Sequence, residues 1–112
     1  MTIETKTMKT NPTLGTDLLG KHVIVRTCSA GVHAGILEAR DGKEVLLSES
    51  RRIWYWSGAA SLSELAQRGT RRPDACKFPA PVTQILLTEA IEIIPTTSES
   101  RASLDKVKPW TE

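Results

Sequence analysis

The residues best suited to bind a ligand form one short run, in which two arginines precede three aromatic side chains: Arg51-Arg52-Ile53-Trp54-Tyr55-Trp56. An aromatic face stacks on a nucleobase, worth ~1–3 kcal/mol per base, and a guanidinium donates two parallel hydrogen bonds to a phosphate. Aromatic and β-branched residues favour a strand, whose alternate side chains share a face, so we expect Arg52, Trp54 and Trp56 on one face. The run therefore predicts nucleotide binding, or alternatively tryptophans that fill the core or a subunit contact.

A second candidate is the glycine-bearing segment Ser29-Ala30-Gly31-Val32-His33. A turn between strands can present backbone N–H groups to an anion, and a histidine adds a donor whose charge depends on pH. The alternative is a tight turn with an exposed histidine. Combining the two segments, the predicted ligand-binding residues are Ser29, Gly31, His33, Arg51, Arg52, Trp54 and Trp56.

Motifs for catalysis and metal binding are not found. The sequence has no nucleophile elbow, no metalloprotease helix and no Walker-type phosphate loop. Ser29, His33 and Asp41 are near in sequence, but a catalytic triad is recognised by geometry rather than by sequence spacing. Cys28, Cys76 and the two histidines match no zinc-binding spacing, and two cysteines without a secretory signal indicate reduced thiols. We therefore predict a protein that is not an enzyme, with no cofactor and no metal site.

Length and composition indicate one small globular domain of 112 residues with a net charge of +2. No apolar run approaches the ~18–20 residues that cross a membrane, and residues 1–11 are polar, unlike a secretory signal. These features predict a cytoplasmic protein. Basic side chains concentrate between positions 51 and 77, either as a solvated surface or as a patch that faces an anion.

Hydrophobic and turn patterns predict a mainly β fold: a small antiparallel β-barrel with one short inserted helix and a short C-terminal helix. The predicted strands are 22–26, 32–39, 43–48, 53–56, 83–87 and 90–94, with Gly35 marking a bend and Asp41-Gly42 a type I′ hairpin turn. Ser61-x-x-Glu64 predicts the start of the first helix and Thr96-x-x-Glu99 the start of the second. We expect a flexible tail over 1–16, the barrel domain over 17–107 and a C-terminal tail over 108–112.

The order of these segments resembles the first half of an Sm-like or SH3-like small barrel. The similarity lies in Gly20-Lys21-x-Val23-x-Val25, Gly35-x-Leu37, Asp41-Gly42 and Val45-Leu46-Leu47. Sm-like proteins form rings and bind RNA, which is what this resemblance implies. The RNA-binding motifs of that family do not carry over, however. Asp41 is followed by Gly42-Lys43-Glu44 instead of an early asparagine, and Thr88-Glu89 stands in place of an Arg-Gly pair.

Residues 18 to 96 also resemble a family of short phage and prophage proteins with no assigned activity. This resemblance rests on segments 29–35, 51–62 and 87–95. With the candidate residues, it predicts a phage-type counter-defence protein that captures a small anionic, nucleotide-like ligand in the host cytoplasm. The alternatives are an Sm-like oligomer that binds RNA or single-stranded nucleic acid, and a direct inhibitor of a host protein. A barrel this small gains by burying more surface, so we expect a homo-oligomer.

Overall fold

The structure, a computed structural model, describes residues 14–111, so most of the predicted N-terminal tail over 1–16 lies outside the described residues. Two short 3₁₀ turns, Thr16–Leu18 and Pro73–Ala75, accompany seven regular elements. These elements are β1 (His22–Thr27), β2 (Val32–Asp41), β3 (Glu44–Arg52), α1 (Leu62–Arg68), β4 (Val82–Leu87), β5 (Ala90–Pro95) and α2 (Ser98–Asp105). The predicted mainly β fold with an inserted helix and a C-terminal helix is confirmed.

The five strands form one antiparallel sheet in the order β4-β3-β2-β1-β5. β4 pairs only with β3, and β5 pairs only with β1, so each has one edge without a strand partner. Strand pairing therefore does not close the sheet into a barrel.

A two-residue turn joins β2 to β3, because Asp41 pairs with Glu44 and leaves Gly42 and Lys43 between them. Gly42 has a φ of 59°, whereas Lys43 is not among the non-glycine residues with positive φ. A positive φ at the first central residue alone is the pattern of a type II′ turn. The hairpin is confirmed, but the predicted type I′ turn with Asp41 at its centre was wrong.

The middle of β2 bends against β3 at Gly35, as predicted. The pairing register shifts between Ala34 and Ile36, and Glu49 on β3 has a φ of 49°. A Cβ on Gly35 would lie 2.8 Å from the carbonyl oxygen of Ser48, so only glycine lets the two backbones approach this closely. This bulge curves β3 and divides it between two packing environments.

The predicted strand over residues 53–56 was wrong. β3 ends at Arg52, and beyond it Tyr55 makes a single bridge with Lys77. The Tyr55 N–H donates to Lys77 O at 3.2 Å, and the Lys77 N–H donates to Tyr55 O at 2.8 Å. Because the chain leaves the sheet here, the alternation of a strand does not govern where these aromatic side chains point.

Apolar side chains are buried on both faces of the sheet. The inner core is built by strand residues alone: Val23, Val25, Leu37, Val45, Leu47 and Leu87. The outer core joins the sheet to the helices and the loops around them: Ile24, Ala34, Ile53, Leu65, Ala66, Cys76, Phe78, Leu104 and Val107. Successive residues of β1 therefore point into different cores, as pleating requires.

Both helices begin at side-chain caps and pack against each other. Ser61 Oγ accepts from the Glu64 N–H at 3.1 Å, which confirms the first cap. The second helix begins one residue later than predicted, because Thr97, not Thr96, accepts from the Ser100 N–H. Ser100 Oγ in turn donates to Leu65 O at 2.7 Å and joins α2 to α1.

The chain after α2 lies against the domain as far as Trp110, within the stretch predicted as a tail over 108–112. Val107 is 2% exposed, and Pro109 forms a bridge with Phe78. Trp110 N–H donates to Phe78 O at 2.8 Å. Within residues 14–111, neither helix has the length and hydropathy needed to cross a membrane.

Candidate functional site

The turn between β1 and β2 brings together several of the predicted ligand-binding residues. Arg52 Nη1 donates to Ala30 O at 2.6 Å, and His33 Nε2 lies 2.9 Å from the same oxygen. Because a carbonyl only accepts, Nε2 carries the proton. Thr27 Oγ1 donates to Gly31 O at 2.7 Å and accepts from the Ala30 N–H at 2.8 Å. These bonds hold the turn in one conformation.

The polar groups of this turn are largely used within the protein. Ser29 Oγ donates to Glu89 Oε1 at 3.1 Å rather than bonding to His33. The Ala30 N–H is already satisfied by Thr27, so it is not directed at an anion. The structure thus brings Ser29, Gly31, His33 and Arg52 together, and the interactions it shows there order the turn.

Burial favours the neutral form of His33. Burial lowers the pKa of His33 below its usual 6.5, and Arg52 lowers it further, while the hydrogen bond to Ala30 acts in the opposite direction. The side chain is 1% exposed. A neutral imidazole with its proton on Nε2 is suited to anchoring a turn, and it carries no positive charge that would attract an anion.

Arg51 lies on the opposite side of the chain from Arg52, among residues of the outer core. Its guanidinium is 5.0 Å from the Phe78 ring centroid, and Nη1 donates to Leu104 O at 3.2 Å. Nε and Nη2 are buried and have no hydrogen-bond partner. Burial lowers the pKa of Arg51, and the carboxylate of Asp105 opposes that shift. The two adjacent arginines therefore contact different parts of the protein: Arg51 lies in the outer core, and Arg52 binds the turn between β1 and β2.

The two predicted tryptophans also separate. Trp56 is half-buried, packs against the outer core and donates from Nε1 to Ala59 O at 3.3 Å. Trp54 is 59% exposed. Their expected position on one shared face with Arg52 is not what the structure shows, because β3 ends before them.

Trp54 instead stacks on Trp110, the tryptophan nearest the C-terminus. The ring centroids are 5.2 Å apart and the planes differ by 2°, which describes a parallel, offset stack. Lys77 Nζ lies 5.6 Å from the Trp54 centroid and 5.5 Å from the Trp110 centroid. Two surface aromatic rings and one ammonium thus form a compact group, here called the tryptophan pair with Lys77.

Two backbone contacts position this group. The Tyr55–Lys77 bridge places Lys77 beside the chain segment that carries Trp54. The hydrogen bond from the Trp110 N–H to Phe78 O places the C-terminal segment next to the same strip of chain. Lys77 belongs to the basic stretch over 51–77 that the sequence offers as a patch facing an anion, but nothing in the sequence links it to Trp54. Trp110 was not predicted, and its one local signal is an isolated tryptophan in the predicted C-terminal tail.

Surface cavities lie elsewhere. One of about 370 Å³ is lined mainly by Leu14, Leu19 and Arg40, and one of about 260 Å³ by Arg40, Ala90 and Ile93 among others. Neither contains a predicted ligand-binding residue. Within residues 14–111 no three His, Cys, Asp or Glu side chains cluster as metal ligands, and both thiols, Cys28 and Cys76, are free.

Comparison with known proteins identifies a family and a fold. The model of a family described as a domain of unknown function, DUF6948, matches residues 20–104. No curated protein matches the chain in sequence.

The structure is similar to the P. aerophilum SmAP1 heptamer, with a TM-score of 0.54 and 17% identity over 81% of this chain and 99% of that chain. It is also similar to a heptameric archaeal Sm protein, with a TM-score of 0.50 and 18% identity over 73% of this chain and 94% of that chain. The predicted Sm-like architecture is therefore confirmed.

Proposed function

The chain belongs to the DUF6948 family, a domain of unknown function, and we propose that it is a non-enzymatic binding protein. In this proposal its Sm-like barrels assemble edge to edge into a homo-oligomeric ring, and the ring binds single-stranded nucleic acid. The observation that carries the proposal is the pair of open strand edges on β4 and β5.

These edges are suited to pairing with another copy. β4 and β5 each contain six residues, and each pairs with another strand on one side only. On its other side β5 makes a backbone bond at its first residue, where the Ala90 N–H donates to Lys43 O of the β2–β3 turn at 3.0 Å. Unpaired strand edges template association unless they are protected. Both strands expose apolar side chains, with Val82 at 46%, Leu86 at 56% and Ile91 at 53% exposure. Assembly would cover backbone donors, backbone acceptors and apolar surface together.

The position of the edges favours a ring. β4 and β5 are the two ends of the strand order, so the β4 edge of one copy meets the β5 edge of the next in a heterologous contact. Heterologous contacts repeat around an axis and close into a ring when the rotation permits. Both Sm-like neighbours are heptamers, which supports the same mode of assembly for this chain.

Charge and fold together support single-stranded nucleic acid as the ligand. The chain carries a net charge of +2. Arg68, the last residue of α1, and Arg71 and Arg72 shortly after it are all exposed. The archaeal Sm neighbour is described for its implications for the snRNP core, an RNA–protein assembly. Capture of a small nucleotide-like ligand, a phage origin and a counter-defence role remain predictions from the sequence.

Oligomeric state is the first test. We expect native mass spectrometry of the wild-type protein to give a closed oligomer, and Leu86→Lys or Ile91→Lys to give monomers with unchanged circular dichroism. Leu19→Lys is the matched control, because Leu19 is 43% exposed but lies outside both edge strands. A wild-type protein that stays monomeric at all concentrations would refute the ring.

Nucleic-acid binding is tested separately by fluorescence anisotropy with labelled single-stranded RNA. We expect affinity to fall steeply with salt, with a log–log slope of about −0.7 for each phosphate neutralised. No binding at low salt would refute nucleic acid as the ligand and would leave nucleotide capture as the function to examine next.

A further inference from the structure

The Sm-like fold is present without the RNA-binding motifs of that family, so a base must be contacted elsewhere if the chain binds one. Gly42 and Lys43 occupy the β2–β3 turn, and Thr88 and Glu89 lie between β4 and β5. None of these side chains offers a flat aromatic surface. The tryptophan pair with Lys77 is the exposed group in residues 14–111 that combines stacked aromatic rings with a cation.

The geometry of the pair leaves a ring face open. A ring covered on one face by Trp110 and still 59% exposed, as Trp54 is, presents its other face to solvent. Lys77 does not cover that face. Its ammonium is nearly equidistant from the two centroids, whereas an ammonium above the outer face of one ring would be much farther from the second ring. A third planar ring could therefore continue the stack.

The charge beside this face suits a phosphate. None of the ion pairs in the described part of the chain includes Lys77, so its ammonium is not neutralised by a carboxylate there. Lys108, two residues before Trp110, is also exposed. A base stacked on Trp54 would carry its phosphate into reach of a cation held at the flank of the rings.

A protein partner fits this surface less well. Interface hot spots are aromatic anchors surrounded by contacts that exclude water. Here the neighbouring side chains include the exposed charges of Lys77 and Lys108 and the half-exposed Tyr55, which favour a solvated, anionic ligand.

We propose that Trp54, stacked on Trp110 and flanked by Lys77, is the binding site for a nucleobase that carries a phosphate. The base continues the tryptophan stack and the Lys77 ammonium contacts the phosphate. The inference names a base contact for the proposed function, but the site itself requires one protomer only. It would serve equally for a free nucleotide and for one nucleotide of a single strand.

Tryptophan fluorescence provides the assay. The protein is titrated with AMP, adenosine, inorganic phosphate and a ten-nucleotide oligoadenylate. All probes are tested in the Trp56→Phe variant, which removes the emission of Trp56, a half-buried side chain that packs against the outer core. We expect saturable quenching by AMP or by the oligonucleotide. We also expect weaker binding of adenosine, which lacks the phosphate, and no quenching by phosphate alone. Quenching by the oligonucleotide but not by AMP identifies a strand as the source of the base, and quenching by both identifies a site that also takes free nucleotides.

Variants locate the site. Trp54→Ala should weaken binding by roughly 5- to 150-fold, the range of stacking losses per base, and Trp54→Tyr should restore much of it. Lys77→Gln should weaken phosphate-bearing probes more than adenosine, while Lys21→Gln, which removes an exposed lysine at the far end of the sheet, should leave all probes unchanged. Circular dichroism and thermal unfolding confirm that each variant is folded.

The outcomes separate this site from the ring. Unchanged affinity in folded Trp54→Ala, or no quenching of the wild-type protein by either nucleotide probe, overturns the site whatever the oligomeric state. AMP binding that survives in monomeric Leu86→Lys supports the site. A protein that forms no oligomer but binds AMP through Trp54 refutes the ring and retains the site.

Discussion

Replacing Gly69 by alanine tests the junction between the two helices that cover the outer face of the sheet. Gly69 ends α1 with a φ of 78° and a ψ of −154°, a backbone region occupied almost only by glycine. An added Cβ would overlap Cβ and Oγ of Ser103 on α2 and would lie 3.3 Å from Ser100 O. The substitution therefore combines backbone strain with overpacking against a helix.

The two contributions set the expected magnitude. A non-glycine residue in this region costs of order 1–3 kcal/mol, and overpacking of a filled site costs typically ~1–3 kcal/mol. Displacing Ser103 would also disturb its hydroxyl, which accepts from the Thr70 N–H at 2.9 Å and donates to Thr70 O at 3.0 Å. We expect Gly69→Ala to lower the free energy of unfolding by about 4 kcal/mol, a large fraction of the ~5–15 kcal/mol typical of domains.

Urea unfolding followed by circular dichroism measures the change, and two further variants divide it. Gly20→Ala is the control, because Gly20 has a φ of 81° with no atom within 4 Å of the added Cβ, so it should lose only about 1–2 kcal/mol. Adding Ser103→Gly to Gly69→Ala should show a favourable coupling of about 1–3 kcal/mol. A loss in Gly69→Ala no larger than in Gly20→Ala, with simple additivity in the double variant, would refute the steric argument.

Two further predictions concern the candidate side chains. Arg51→Met should leave the free energy of unfolding unchanged or raise it by about 1 kcal/mol. The substitution removes two buried nitrogens that have no hydrogen-bond partner, and it loses one hydrogen bond to Leu104 O. A decrease of more than about 3 kcal/mol in urea unfolding would contradict this prediction. The pKa values of His22 and His33 are both lowered, first by burial, so the unfolded chain binds protons more readily. Stability should be full above pH 6.5 and decline as pH falls from 6.5 through the folded pKa values; His33→Gln should flatten this decline, and an unchanged urea midpoint between pH 7.5 and pH 5 would refute it.

Local patterns predicted most of the fold because its strands and turns carry their own signals. β1 is β-branched, the Asp41-Gly42 pair separates two extended runs, and Ser61 precedes Glu64 at capping distance. The predictions were wrong where a residue distant in sequence formed a competing hydrogen bond or contact. Thr96 does not cap α2, because its hydroxyl donates to His22 O at 3.0 Å and lies 2.6 Å from His22 Nδ1.

The candidate site was harder to predict, because its geometry depends on contacts distant in sequence. Trp54 was identified, but the chain after Arg52 leaves the sheet, so the expected face shared with Trp56 does not form. Lys77 and Trp110 join Trp54 only through pairing with Tyr55 and Phe78. Hydrophobic periodicity predicts helices and strands, but it does not predict a single bridge between two loops or which residues that bridge joins.

β1 has a consequence for how the molecule opens. Val23, Ile24 and Val25 are each 0% exposed, although they face two different cores. Because β1 contributes side chains to both cores, loss of packing against β1 in one core also disturbs the other. The two cores should therefore open as one cooperative unit, and the amide protons of β1 should exchange with deuterium only through global unfolding. In a monomeric variant, the amide protons of the β4 edge should exchange through local fraying instead.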